Sequence, residues 1–281
     1  MILIADSGST KTDWRLVNME GILHLTDETI GFNPYFISSA IILNELSTSK
    51  LAKIKEQVKQ VFFYGAGCST TQNCQLIETP LRTFFNHAEV AVEHDLLAAC
   101  RATCGTTKGI VAILGTGSNS CLYSGSVILE NVQSLGYLLG DYGSGADIGK
   151  TFITALLSNE LPKEIEAEFK KQYQLSTSDI LNAVYKEALP NRFLAAFSLF
   201  VYQHKNNPVL QKMVKERFDL FFKKNICKYS DYQHQTIHFV GSIAFMYQDV
   251  LAKTAANYQI KMGRVIQHPI QDLVNYHLLN S

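Results

Sequence analysis

The chain opens on an apolar segment, Met1-Ile2-Leu3-Ile4-Ala5-Asp6. It runs into a turn, Ser7-Gly8-Ser9-Thr10-Lys11, and comes back as Thr12-Asp13-Trp14-Arg15-Leu16-Val17. Nearly the same pattern returns at Gly109-Ile110-Val111-Ala112-Ile113-Leu114, Gly115-Thr116-Gly117-Ser118 and Asn119-Ser120-Cys121-Leu122-Tyr123. Each copy reads as a buried strand, a turn of glycines and hydroxyls, and a returning strand. Such a turn offers backbone N–H groups and hydroxyls to an anion with no bulky side chain in the way. Two copies in one chain point to a duplicated α/β fold that grips a polyphosphate from two sides.

The rest of the chain fits that reading. The spacing predicts a helix over about 38–58, a strand at Val61-Phe62-Phe63-Tyr64, a helix over 73–86, a strand at Glu89-Val90-Ala91-Val92-Glu93, and a helix over 95–104 closed by Gly105. After the second copy come a glycine-rich loop, Leu139-Gly140-Asp141-Tyr142-Gly143-Ser144-Gly145, and an almost wholly helical stretch over about 150–229. A strand ending at Val240, a helix over 243–257, a short strand near Arg264 and a last helix over 269–279 follow. The repeat sets a boundary near 105–109. This gives an N-terminal lobe of residues 1–106 plus 268–281 and a C-terminal lobe of residues 107–267.

Bulk properties exclude several classes. Lys plus Arg and Asp plus Glu number 25 each, so no basic excess suits a nucleic-acid binder. No stretch approaches the roughly 20 apolar residues that span a bilayer, and the opening apolar run, broken by Asp6, does not read as a signal peptide. The six cysteines contain no C-x-x-C pair; they read as reduced, buried thiols of a cytoplasmic protein.

The chemistry-bearing candidates cluster at strand ends. Asp6 closes the first strand and is the one carboxylate read beside a phosphate turn, suited to hold Mg²⁺ directly or through water. Ser7, Gly8, Ser9, Thr10 and Thr12 supply N–H and hydroxyl donors, and Lys11 a point charge. Gly115, Thr116, Gly117 and Ser118 form the second turn. Asp95 opens a helix, whose N-terminus favours an ionised carboxylate; it is either a base for a sugar hydroxyl or a helix cap. Asn33, in the rigid Gly31-Phe32-Asn33-Pro34 loop, Asn119 and Asp141 can each meet a polar ligand or stabilise a turn. Gly241-Ser242, between strand and helix, lets a flat base or a ribose approach the backbone.

Taken together, Asp6 to Asp13, His94-Asp95, Gly115 to Asn119, Leu139 to Gly145 and Val240-Gly241-Ser242-Ile243-Ala244 resemble the BadF/BadG/BcrA/BcrD ATPase family. Within it, the chain is similar to the N-acetylglucosamine kinases and their bacterial relatives, which include N-acetylmuramic acid kinases. These belong to the actin-like sugar-kinase superfamily. The resemblance covers most of the chain, in order, and is weakest over about 156–232. It implies two lobes of ribonuclease H-like topology with ATP and an amino sugar in the cleft between them. It also implies Mg²⁺-phosphate binding at both turns, Asp95 as the base, Asn33, Asn119 and Asp141 as sugar contacts, and Gly241-Ser242 near adenosine. The last helix is implied to return to the N-terminal lobe, and a homodimer is an open assembly. Ser7 stands where the family usually has glycine, and Tyr142 where an acidic residue is common. Pro34 stands where the mammalian enzyme type has other residues.

Two other readings compete. An ATPase that activates 2-hydroxyacyl-CoA dehydratases would share a [4Fe-4S] cluster across a dimer, with Cys100 or Cys104 as ligand. A catalytically silent sugar or nucleotide sensor is the other.

Overall fold

The computed structural model describes residues 1–8 and 10–280. The chain divides into two compact units. The first comprises Met1–Thr107, Gly125–Val127 and the chain from His268 onward; the second comprises Lys108–Ser124 and Ile128–Gln267.

The first unit is built on β1 (Ile2–Ser7), β2 (Lys11–Val17), β3 (Leu23–Ile30), β4 (Gln60–Gly65) and β5 (Glu89–His94), in the spatial order β3-β2-β1-β4-β5. The hairpin strands pair antiparallel, and β4 and β5 join parallel to β1. A central strand covered on both faces needs a continuous apolar run, which Ile2 to Ala5 supply. Leu3 and Ala5 face a core with Trp14, Phe32, Ile42, Phe63 and Leu81. Ile2 and Ile4 alternate to the opposite face, where the Ile270–Leu279 and Asp95–Cys104 helices lie against β1. Trp14 is fully buried, and its indole N–H donates to Thr29 Oγ1 at 2.9 Å.

The second unit repeats the plan. Its strands are β6 (Gly109–Leu114), β7 (Ser118–Tyr123), β8 (Ile128–Val132), β9 (Thr236–Val240) and β10 (Lys261–Ile266), in the order β8-β7-β6-β9-β10. Again the hairpin strands are antiparallel and the last two parallel. Ile110, Ala112 and Leu114 enter a core completed by the helices Gly145–Leu157, Lys163–Tyr173, Pro190–Gln203 and Pro208–Lys224. Identical strand order in both units is the duplication anticipated from the repeated turns.

Element bounds differ in places. The helix expected over 38–58 ends at Thr48 and gives way to two 3₁₀ turns, Lys50–Lys53 and Lys55–Gln57. The helix expected over 243–257 is split into Ser242–Met246 and Gln248–Ala256. The Asp95–Cys104 helix and its Gly105 terminus fall where expected. Among the described residues no helix is long and apolar enough to cross a membrane.

The Ile270–Leu279 helix is fastened to the first unit by a chain of hydrogen bonds. Arg101 Nη1 donates to the Tyr64 hydroxyl at 2.6 Å, so that hydroxyl's own proton goes to His277 Nε2 at 2.8 Å. The His277 ring stacks on Phe62, centroids 3.8 Å apart. Burial, helped by the Arg101 charge, lowers the His277 imidazole to about 4 from 6.5. The folded state therefore binds fewer protons than the unfolded chain between those values, and stability falls as pH drops from 6.5 through 4. Urea titrations are expected to show this residue costing about 2 kcal/mol by pH 5. In His277→Phe, which keeps the stacked ring, that share of the acid loss is expected to vanish. An unchanged pH slope would contradict it.

Candidate active site

In the first unit, strand register brings the candidates to one edge. Ser7 of β1 pairs with Gly65 of β4, and Gly65 with His94 of β5. The first turn, the Gly65-Ala66-Gly67 loop and Asp95 thus follow the carboxyl ends of three neighbouring parallel strands, where open α/β sheets bind ligands.

Asp6 is half-buried. Burial first, then the negative charges of Asp95 and Asp13, push its carboxyl up to about 7, with Lys11 opposing. Asp6 is therefore not the lone carboxylate of the sequence reading, since Asp13 and Asp95 share its field. Asp95 is pushed above the ordinary carboxylate range by burial, while His94 and the Leu96 N–H pull it back. The helix-terminus argument anticipated a carboxyl held down, and desolvation outweighs it. Asp95 is also not the helix cap. His94 is, its Nδ1 accepting the Leu96 N–H at 3.0 Å and lying 3.1 Å from Asp95 Oδ1.

The first-turn candidates fare differently. Gly8 N–H donates to Lys11 O at 2.9 Å, and Thr10 O accepts from Gly31 N–H at 3.0 Å. Ser9 lies outside the described residues. Lys11 is held by Glu28 at 2.8 Å and Asp13 at 3.2 Å, so its charge is already answered across the hairpin. The Ser7 hydroxyl is fully buried between Thr12 Oγ1, at 2.8 Å, and the Phe32 N–H, at 3.0 Å.

Asn33 is buried, and its Oδ1 accepts the Tyr35 N–H at 3.0 Å. Gly67, at φ +85°, presses against it. A Cβ there would lie 2.8 Å from Asn33 Oδ1, so only glycine admits this packing.

The second unit carries the other turn. Gly115 N–H closes on Gly117 O at 3.0 Å, and the carbonyls of Gly115 and Thr116 accept the N–H groups of Gly145 and Ala146 at 2.8 and 3.0 Å. The turn is thereby locked to the start of the Gly145–Leu157 helix. Ser118 Oγ is buried and has no hydrogen-bond partner among the described residues. An orphaned hydroxyl in a phosphate turn is what a bound phosphate oxygen would satisfy. Asn119 Oδ1 accepts from the Ser120 N–H and from Asn131 Nδ2, both at 2.9 Å, which leaves the Asn119 Nδ2 end for a ligand.

Asp141 sits at φ 52°, a left-handed backbone that Asp tolerates. Burial pushes its carboxyl up, against hydrogen bonds from Ser134 Oγ, at 2.9 Å, and the Ser118 backbone. A Cβ on Gly117 would be 2.9 Å from Asp141 Oδ2, so the turn's glycine makes room for this carboxylate. Tyr142 packs against the second unit's core, which accounts for an aromatic residue there.

Gly241, at φ +118°, has a structural reason of its own: a Cβ would meet Leu114 O at 2.4 Å. It lets the ends of β9 and β6 abut, and Ser242 begins the short helix beyond.

Sequence reasoning missed Ser134 and Asp147. Asp147 is buried, accepts the Gly143 N–H at 3.0 Å and closes the glycine loop. Its signal was present as Ser144-x-x-Asp147, a helix-start pattern, with Ser144 Oγ accepting the Asp147 N–H at 3.2 Å. Cys100 and Cys104 are buried inside the first unit, the wrong place for thiolates bridging two copies.

The two matched sheets define the actin-like sugar-kinase class of fold. No family model matches the chain. A crystal structure from Porphyromonas gingivalis, provisionally designated an N-acetylglucosamine kinase, is 39% identical, with 100% of this chain and 99% of that one covered and a TM-score of 0.95. A second, from Chromobacterium violaceum with the same provisional designation, is 14% identical at 98% coverage of both chains and TM-score 0.71, a likeness of fold alone. The N-acetylmuramic acid/N-acetylglucosamine kinase of Clostridium acetobutylicum is 26% identical over 187 residues, 62% of this chain and 60% of that relative's length. The chain belongs to the N-acetylglucosamine kinase family.

Proposed function

We propose that the chain is an ATP-dependent kinase of an N-acetylated amino sugar, N-acetylglucosamine or N-acetylmuramic acid, working in the cytoplasm as a monomer or homodimer. The observation that carries this reading is that the first turn and Asp95 follow neighbouring strand ends, with the Asn33 loop bonded to that turn through Gly31 and Phe32. The relatives' names supply the substrate class.

In this reading Asp95 accepts the proton of the sugar hydroxyl as its oxygen attacks the γ-phosphorus of ATP. The phosphoryl group passes to the sugar and ADP leaves. Asn33, Asn119 and Asp141 hold the sugar. The Ser7–Lys11 and Gly115–Ser118 turns hold phosphates, and Gly241-Ser242 lies near adenosine. The site chemistry suits Mg²⁺: Asp6 is an oxygen donor in a field of excess negative charge that a cation would relieve, and Mg²⁺ needs only one or two carboxylates beside phosphates and water. Asp6 would hold it, and the ion supplies charge neutralisation on the phosphates.

The test is kcat/KM for N-acetylglucosamine, N-acetylmuramic acid and glucose. A site that hydrogen-bonds the acetamido group leaves polar groups unpaired with glucose, so glucose is expected to be poorer by at least about 10²-fold. Glucose matching either acetylated sugar would defeat the substrate assignment.

A further inference from the structure

The hydroxyl of Ser7, the residue that departs from the family's usual glycine, has its bonding filled inside the protein. Thr12 Oγ1 donates its one proton to Ile30 O at 2.9 Å. The proton in the 2.8 Å Ser7–Thr12 contact therefore comes from Ser7. Ser7 Oγ in turn accepts the Phe32 N–H at 3.0 Å. Between them, Thr10 O accepts the Gly31 N–H at 3.0 Å. Three consecutive residues, Ile30, Gly31 and Phe32, are thus tied in turn to Thr12 of the returning strand and to Thr10 and Ser7 of the first turn, and Asn33 comes next. Ser7 also reaches the other wall of Asn33: its carbonyl accepts the Ala66 N–H at 2.8 Å, one residue before Gly67, which presses on the Asn33 amide.

We propose that Ser7 is a positioning residue that couples the first phosphate turn to the sugar loop, so that amino sugar and ATP bind with positive cooperativity through its hydroxyl. This rests on the kinase reading above. Glycine at this position would leave the Phe32 N–H buried without this acceptor. Ser7 and Thr12 are both fully buried, so displacement of the turn cannot be absorbed by solvent and must be carried to Phe32 or cost the hydrogen bond. Coupling of this kind is reciprocal: saturating sugar lowers KM for ATP by the factor by which ATP lowers KM for sugar, to the extent that KM reports binding.

The experiment measures both KM values, each at low and saturating concentration of the other substrate, in wild type, Ser7→Ala, Thr12→Ser and Thr12→Val. Leu46→Ala serves as a control that lowers Tm through the same unit's core. Ser7→Ala is expected to raise KM for the amino sugar about tenfold, more than it changes kcat, and to shrink the coupling factor toward one. Thr12→Ser keeps the bridging hydroxyl and is expected to behave as wild type, whereas Thr12→Val removes it and is expected to follow Ser7→Ala. Unchanged coupling in Ser7→Ala, or the same KM rise in Leu46→Ala at equal Tm loss, overturns the proposal. If Ser7→Ala does not fold, the Thr12 pair decides, and equal coupling in both members overturns it. Wild type inert toward every amino sugar overturns the kinase reading and this inference together; wild type active with its variants unaltered overturns the inference alone.

Discussion

Replacing Asp95 with Asn is expected to lower kcat for amino-sugar phosphorylation by about 10²-fold or more while leaving ATP affinity nearly unchanged. The substitution keeps the shape of the side chain and its place in the first turn of the Asp95–Cys104 helix. It removes the ability to take a proton, together with the negative charge that Asp95 sets beside Asp6 and His94. Burial makes this carboxyl more basic than an exposed one, which strengthens it as a proton acceptor. Because His94 supplies the cap, no helix-capping bond is lost and the thermal midpoint should hold. Single-turnover rates with saturating ATP, alongside calorimetric titration of nucleotide, check the claim. A folded variant turning over within a few-fold of wild type would remove Asp95 from the role of base.

Gly149→Ala is expected to be the most damaging small substitution in the second unit, costing about 3 kcal/mol or more. Intrinsic preference points the other way, since alanine in a helix gains about 1 kcal/mol over glycine. The clash decides the sign. A Cβ on Gly149 would stand 1.8 Å from Leu194 O, a backbone atom of the Pro190–Gln203 helix that no rotamer change can move. One turn earlier, a Cβ on Gly145 would be 3.3 Å from Ala195 Cβ and from Ser198 Oγ. The two helices meet backbone to backbone along this stripe. Their separation would also pull on Gly145 N–H, which holds the second turn through Gly115 O, so weaker ATP use should accompany the loss. Urea unfolding of the variant measures the effect; a stability equal to or above wild type would mean that the helices slide apart freely.

Much of this architecture was legible because it rests on strong local signals. Central strands β1 and β6 are buried on both faces and read as unbroken apolar runs, and the turns after them stand out by composition. The third strands, β3 and β8, were not anticipated. In β3 the usual alternation is inverted: Asp27 and Thr29 are buried while Leu23 and Ile30 are exposed. The inversion has specific causes. Asp27 accepts the Lys50 N–H, and Thr29 accepts the Trp14 indole. No periodicity rule sees such partners. The same holds at the site. Asp6 and Asp95 could be picked out from their places at the ends of strands. The role of the Ser7 hydroxyl depends on Phe32, 25 residues away in sequence. The close approach at Gly149 depends on a helix that begins at Pro190.

The first unit is started first and completed last. During synthesis its sheet emerges early, but the Ile270–Leu279 helix that covers one face of β1 and receives the Tyr64 hydrogen bond leaves the ribosome only after residues 128–267 of the second unit. Until then Ile2 and Ile4 on that face lack part of their cover, and the Tyr64 hydroxyl lacks its acceptor. Domains generally fold as units in order of emergence. Here the nascent chain must hold an unfinished sheet through the making of a whole second unit, which makes that interval its greatest exposure to aggregation and to chaperone capture.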